Sequence, residues 1–562
     1  MFKFFSLICS IVLLFLSSCS SVPINNQDNN TENPDDSEVK TYQKDENGFF
    51  ILEDDYFLPY EGDNFSLDYA NKLDEDIYAS SFRLFCGDKN IPVFHCDTNP
   101  NRVWTPNPTN FVEAGVAIIS LKGEVELTLQ TNFAFKEMTT RVMPSDRNIE
   151  NVKDFIRRTI KFKVKEVGQY TISFLKNLSF HLFVNPLDGY KSEMNNQNVI
   201  VFKKGIHDKN NSNYIDGSNF IHLSSNTTVI LEKGAVIKAG FIANNASNIE
   251  IIGDGIIYGA DFERNAETGS KLIPFEFNYC SNIVFKGITT LDPAGWCYNL
   301  YFSNQVLLED IKIISSRSNG DGVSVQSCQN VICKNSFIRT WDDSLVVKNY
   351  PKRSNRKEHG STKNIRFEKC QVWTDLAQSM ELGYETVGVT FEDVYFKDIT
   401  VLFNYHKAVI SIHNSNNAHI KNIHFDNITI ENARMGSGDG SPYLIDIQNL
   451  YSSNWSSIHT TTSLGFIEDV YINNILVLSN ASQSLVKISG CRDTRNGFDN
   501  QEEHYVKNIN INNVYIDNEF LSSNSNRLEI GNFVYNLNIK NDLITPIGAS
   551  SIFWYFFSFL QK

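Results

Sequence analysis

The chain is expected to be all-β: a right-handed parallel β-helix preceded by an antiparallel β-sandwich. Three observations lead there. The first is a short phrase that recurs through the second half. It stands as Ser247-Asn248-Ile249-Glu250-Ile251, Ser281-Asn282-Ile283-Val284-Phe285, Gln329-Asn330-Val331-Ile332 and Lys363-Asn364-Ile365-Arg366-Phe367. It returns around Asn422-Ile423, Asp469-Val470 and Asn508-Ile509. Ile249 to Ile283 is 34 residues, Ile283 to Val306 is 23, Val306 to Val331 is 25 and Val331 to Ile365 is 34. A unit that cannot bury its own apolar face, repeated at this interval with variable insertions, is a solenoid. The second observation is the grammar of the repeat: short apolar strands, many Asn and Gly, and no helical period. It selects a β-helix over leucine-rich or helical repeats. The third is that residues 49–190 instead alternate in short runs punctuated by turns, as a sandwich does. Val116–Leu121, Val125–Leu129, Ile160–Val164, Tyr170–Phe174 and Leu182–Val184 are those runs.

In chain order, residues 1–18 carry Lys3 and the apolar run Phe4–Leu16, a secretory leader and not a membrane span. Leu16-Ser17-Ser18-Cys19 resembles a lipobox, so Cys19 is the expected lipidated first residue of an envelope or secreted lipoprotein. Residues 19–48 are Asn-, Asp-, Glu- and Ser-rich and serve as a flexible tether. The sandwich is expected over 49–190, the β-helix over 195–540 and an apolar tail over 541–562. Its apolar run, Ser551–Leu560, is too short to span a bilayer as a helix. The excess at 350–362, 433–463 and 490–504 should form loops.

The totals narrow the function. A chain of 562 residues exceeds one ordinary core. A net charge of −15 gives no support to nucleic-acid or anionic-membrane binding, so the only expected membrane contact is a lipid anchor at Cys19. The cysteines show no zinc spacing, and Cys328, Cys333 and Cys370 recur at matching places as small buried thiols. No metal or other cofactor is expected.

The chemistry concentrates in Asn319–Lys348. Asp321 precedes the run Val323–Val325, and Asp342 and Asp343 precede Leu345–Val347, 21 and 22 residues later. One β-helix coil takes roughly 20 to 30 residues, and neighbouring strands lie about 4.8 Å apart. The three carboxylates should therefore collect in one patch. Like charges that close keep at least one of them protonated above its usual pKa. A protonated acid beside an ionised base is what glycoside hydrolysis uses. A solvated Asp-rich turn is the plain alternative.

Gly253-Asp254-Gly255, Asn319-Gly320-Asp321-Gly322 and Trp341-Asp342-Asp343 resemble the catalytic β-helix of glycoside hydrolase families 28 and 49, the polygalacturonase and dextranase/isopullulanase types. The resemblance covers roughly residues 198–440. It implies a secreted hydrolase that cleaves α-glycosidic bonds in a polysaccharide with inversion. Asp342 would protonate the glycosidic oxygen, while Asp321 and Asp343 would hold and deprotonate the water. Family 28 continues with Gly-His-Gly and then Arg-Ile-Lys. Here those places read Ala377-Gln378-Ser379-Met380-Glu381-Leu382-Gly383-Tyr384 and Val409-Ile410-Ser411-Ile412-His413. Losing both cations weakens a uronate substrate and slightly favours a neutral, dextran- or pullulan-like glycan. Arg339, Lys348 and the loop with Lys352, Arg353, Arg356 and Lys357 keep a pectin hydrolase open as the alternative. Expected substrate-binding residues are Trp296, Trp341, Lys348, Trp373, Gln378, Glu381 and Tyr384, each of which could instead belong to the coil's own packing. His406 and His413 come one coil later. A non-catalytic glycan-binding β-helix is the alternative from outside the enzymes.

Overall fold

The structure, a computed structural model, describes residues 42–53, 56, 65–264, 271–354, 358–388, 390–436, 438–452, 463–479 and 484–542. The expected leader, Cys19, most of the tether and most of the tail fall outside the described residues, as do Arg356 and Lys357.

The first module is two sheets face to face. One orders Ser66–Asp68, Val112–Lys122, Ser179–Pro186, Gly168–Ser173 and Arg141–Met143, with Phe94–Thr98 also on Val112–Lys122. The other orders Lys89–Ile91, Phe82–Cys86, Val125–Thr131, Thr159–Val164 and Asn151–Asp154. The pairing is antiparallel except between Ser179–Pro186 and Val112–Lys122, which run parallel. Alternate residues point inward, so Leu84, Leu127, Leu129, Phe162, Ile172, Phe180 and Leu182 make the core.

From Asn198 the chain winds into parallel coils. Each early coil gives one strand to an 11-stranded sheet and two to a 20-stranded sheet, and later coils fuse those two, as in Thr390–Asn404. The recurring phrase is the register mark. Ile249, Ile283, Val306, Val331, Ile365, Val394, Ile423, Val470 and Ile509 stack in one inward column. Truncating one such buried branched side chain to Ala costs about 2–5 kcal/mol.

The asparagine of the phrase has its own cause. Asn248, Asn282, Asn330, Asn364, Asn422 and Asn508 all have φ between +54° and +58°, the left-handed bend that Asn tolerates best after Gly. Their side-chain amides bond coil to coil, Asn282 to Asn248 at 2.8 Å and Asn364 to Asn330 at 2.8 Å. The result is a hydrogen-bonded seam along the outside of the solenoid.

The sandwich covers one outer face of the coils. Phe94, Val116, Met143 and Phe183 pack on Ile256, Leu291, Ile314, Phe337, Trp373 and Phe403. Two sequence expectations fail here for that reason. Trp373, expected as a subsite wall, is 1% exposed and packs against Phe403, ring centres 4.2 Å apart, beneath the sandwich. Arg339, taken as a spare cation, is fully buried in the same interface against Asp375. Alternation decides both: outward side chains of this sheet face the sandwich, not solvent. Cys328, Cys333 and Cys370 are buried free thiols.

Candidate active site

The 11-stranded sheet carries the groove. Tyr298, Val323, Leu345 and Met380 stack in register across four successive coils. The residues two places earlier, Trp296, Asp321, Asp343 and Gln378, therefore enter the sheet side by side, with about 4.8 Å between neighbouring chains. The backbone confirms this: the N–H of Gly322 donates to the Asp343 carbonyl at 2.9 Å, and that of Ser344 to the Gln378 carbonyl at 2.9 Å.

The three aspartates are brought together, each held differently. Asp321 is 2% exposed. Burial pushes its carboxyl up to about 7; Asp342 and Glu385 push the same way, and the Lys348 ammonium, 3.5 Å from Oδ2, opposes them. Asp343 is also raised, first by burial and then by Asp321 and Asp342, with Lys348 opposing. The N–H of Gln378 donates to its Oδ1 at 3.2 Å. Asp342, half-buried, accepts N–H bonds from Asn319 at 3.0 Å and from Asp343 at 3.2 Å, which fix the direction of its carboxyl. Asp321 and Asp343 thus form a pair that repels a second charge, beside an oriented third carboxyl.

Lys348 stands one coil on from Gln326 and reaches Asp321 and, at 3.4 Å, Glu385. Tyr350 donates to Glu385 at 2.8 Å. Trp296 is half-buried, with the Lys271 ammonium 4.2 Å and the Lys348 ammonium 5.6 Å from its ring centre. Tyr384 lies flat on His413, ring centres 4.3 Å apart.

Two expected contacts prove to be structural. Trp341 is fully buried, and its Nε1 donates to the Asn101 carbonyl at 3.0 Å, so it anchors a sandwich loop and offers no face to a sugar. Glu381 is 1% exposed, bonded to Ser411 and to His413 Nδ1 at 2.9 Å; its acceptor capacity is spent inside the protein. His413 lies between Glu381 and Asp446 (3.2 Å), and these acids raise it to about 10 against the opposing effect of burial. It is a cation whose charge is already matched. His406 bonds the Leu376 carbonyl and Asp439, both at 2.6 Å, and braces the turn before Gln378.

Four groups at the site were not singled out from sequence: Lys271, Arg264, Glu385 and Asp446. Arg264 donates to the Ser318 carbonyl at 2.9 Å and bonds Asn319. Arg353, one of the loop cations, pairs with Glu276 at 3.6 Å. Lys271 and Arg264 come from an insertion with no strand period, so no pattern marks them. Glu385 lies inside an irregularity, between Leu382, level with Val347, and Thr386, level with Asn349, and this breaks the alternation that would have placed it.

The chain resembles known proteins in both sequence and structure. A probable polygalacturonase of Vitis vinifera is 25% identical over 162 residues, 28% of this chain and 32% of that protein. A polygalacturonase of Brassica napus is 26% identical over 110 residues, 19% of this chain and 28% of that protein. The matched stretches thus span about a third of those relatives' length. In structure, Dex49A from Penicillium minioluteum superposes with a TM-score of 0.50 at 12% identity, over 82% of this chain and 93% of that one, a likeness of fold. The model of glycosyl hydrolases family 28 matches residues 209–516, more than half of the chain and the whole stretch that bears the stacked aspartates. On that match the chain belongs to glycosyl hydrolases family 28.

Proposed function

We propose that the protein hydrolyses α-linked polysaccharide with inversion, using Asp342 as general acid and the Asp321–Asp343 pair to hold and deprotonate the attacking water. The pair carries the reading. Two carboxyls enter adjacent coils side by side, Asp321 raising Asp343, and a water between them is polarised from both sides. Asp342, next in the chain and oriented by two N–H bonds, is free to address the glycosidic oxygen. For catalysis the pair must be ionised and Asp342 protonated.

The charge along the groove favours an acidic glycan of the polygalacturonan type. Lys271, Arg264, Lys348 and Arg353 gather on the flank that precedes the aspartates. Lys271 is pushed down, first by burial and then by Arg264, as expected of an ammonium short of negative charge. A uronate carboxylate over Trp296 would supply that charge. One observation favours a neutral glycan instead: the His413 cation on the other flank is already matched by Glu381 and Asp446. Assays of wild type and Asp342→Asn on polygalacturonic acid, dextran and pullulan, with product anomers followed by NMR, test both. Inverted product from wild type and none from the variant is expected. Binding without release of reducing ends on any of them would refute the hydrolase reading.

A further inference from the structure

The sandwich does more than cover the coils, because residues 99–106 strap the turns that carry the aspartates. Asn99 Nδ2 donates to the Ser316 carbonyl at 3.1 Å, and Trp341 Nε1 to the Asn101 carbonyl at 3.0 Å. Arg102 Nη1 donates to the Asp375 carbonyl at 2.6 Å, and the N–H of Asp439 to the Arg102 carbonyl at 3.2 Å. Ser318 Oγ then reaches the carbonyls of Thr105 and Pro106. The anchors therefore advance coil by coil, from the turn of Asp321 to that of Asp342 to that of Gln378. They then return to Ser318, one residue before Asn319, whose N–H orients Asp342. Between Arg102 and Thr105 the chain has to cross back over the turn of Asp342.

The residues that make this crossing are Val103 and Trp104, 49% and 44% exposed. A tryptophan left half in water at the lip of a polar groove, on a segment pinned at both ends, holds a flat apolar face where a sugar ring can cover it. We propose that Trp104 is a substrate-binding residue that stacks on a sugar unit on the Asp342 side of the bond to be cleaved. The sandwich module would then contribute directly to the site. The proposal takes from the hydrolase reading only that glycan lies along this groove.

Trp104→Ala and Trp104→Phe separate the outcomes. In native gels containing polygalacturonic acid or dextran, Trp104→Ala should lose about tenfold in affinity for the retaining glycan, and Trp104→Phe should recover most of it. On polymer, the Ala variant should show a raised KM at similar kcat, while the shortest cleaved oligosaccharide should show no change. Failure of wild type to release reducing ends would defeat the hydrolase reading yet leave gel retention to judge Trp104. Equal migration of Trp104→Ala and wild type in both gels, including no retardation of either, would overturn this proposal. So would a fall in kcat uniform across chain lengths with a lowered melting temperature and no rescue by Phe, because that pattern means packing alone.

Discussion

The molecule contains two buried cation–aspartate clusters on neighbouring coils, and they do opposite things. Under the sandwich, Arg339 meets Asp375 at 3.3 Å. Around them Ser179, His181 and the face of Trp373 complete the guanidinium, while Asn177, Trp373 Nε1 and Arg102 complete the carboxylate. His181, held neutral by burial beside Arg339, acts there as an acceptor. In the groove, Lys348 meets Asp321, Glu385 and the field of Asp343, so one ammonium serves at least three acids. The parts are alike and the stoichiometry differs. Two guanidinium groups closing on one fully bonded carboxylate make a staple; surplus acid leaves protons loosely shared and available for chemistry.

Experiments can break or sharpen that contrast. The largest effect belongs to the groove: Asp342→Asn should lower kcat roughly 10³-fold at an unchanged melting temperature, read by reducing-end release and calorimetry. The staple should answer in stability. Asp375→Asn leaves the buried Arg339 guanidinium uncompensated and should cost about 3–5 kcal/mol in urea unfolding; Arg339→Met, which leaves Asp375 facing Arg102, should cost less.

Asp321 should also make stability depend on pH. Its folded value of about 7 lies above the unfolded value near 3.8, so between these pH values the folded chain keeps a proton that the unfolded chain has released. Wild type should lose stability from about pH 4 to 7 and level off above, and Asp321→Asn should show a shallower fall. Lys348→Met removes the cation that holds Asp321 and Asp343 down, so the acid limb of kcat/KM should move to higher pH by about one unit. A limb that stays in place would mean the pair is not the base. The smallest effect is expected at Lys271→Ala: a several-fold loss of kcat/KM on polygalacturonic acid and little change on a neutral glucan.

Much of this was legible in the sequence, for physical reasons. The Asn-plus-branched-residue phrase marks the register because Asn, more readily than most residues, takes the repeated positive φ and an inward apolar residue follows it. The coil length then stacks Asp321 on Asp343. What was not legible was which outward face the sandwich hides. Trp341 and Trp373 have the spacing of groove residues, but Trp341 lies under the strap and Trp373 under the sandwich core. Neither contact has a local signature, since the partner segments lie more than 190 residues away. Lys271 and Arg264 sit on an insertion where spacing carries no information, and Trp104 belongs to a module whose strands show no catalytic pattern.

The amide seam has a consequence for how such a chain can change. Because these amides bond one coil to the next, as Asn282 does to Asn248, Asn364 to Asn330 and Asn508 to Asp469, adding a residue inside a strand would throw the column out of step and take its amides away from their partners. Adding ten residues to the connection at 350–361 or 490–504 would leave every rung where it is. Variation is thereby channelled away from the ruler and into the walls of the cleft, so one backbone can be refitted to a new sugar without being refolded.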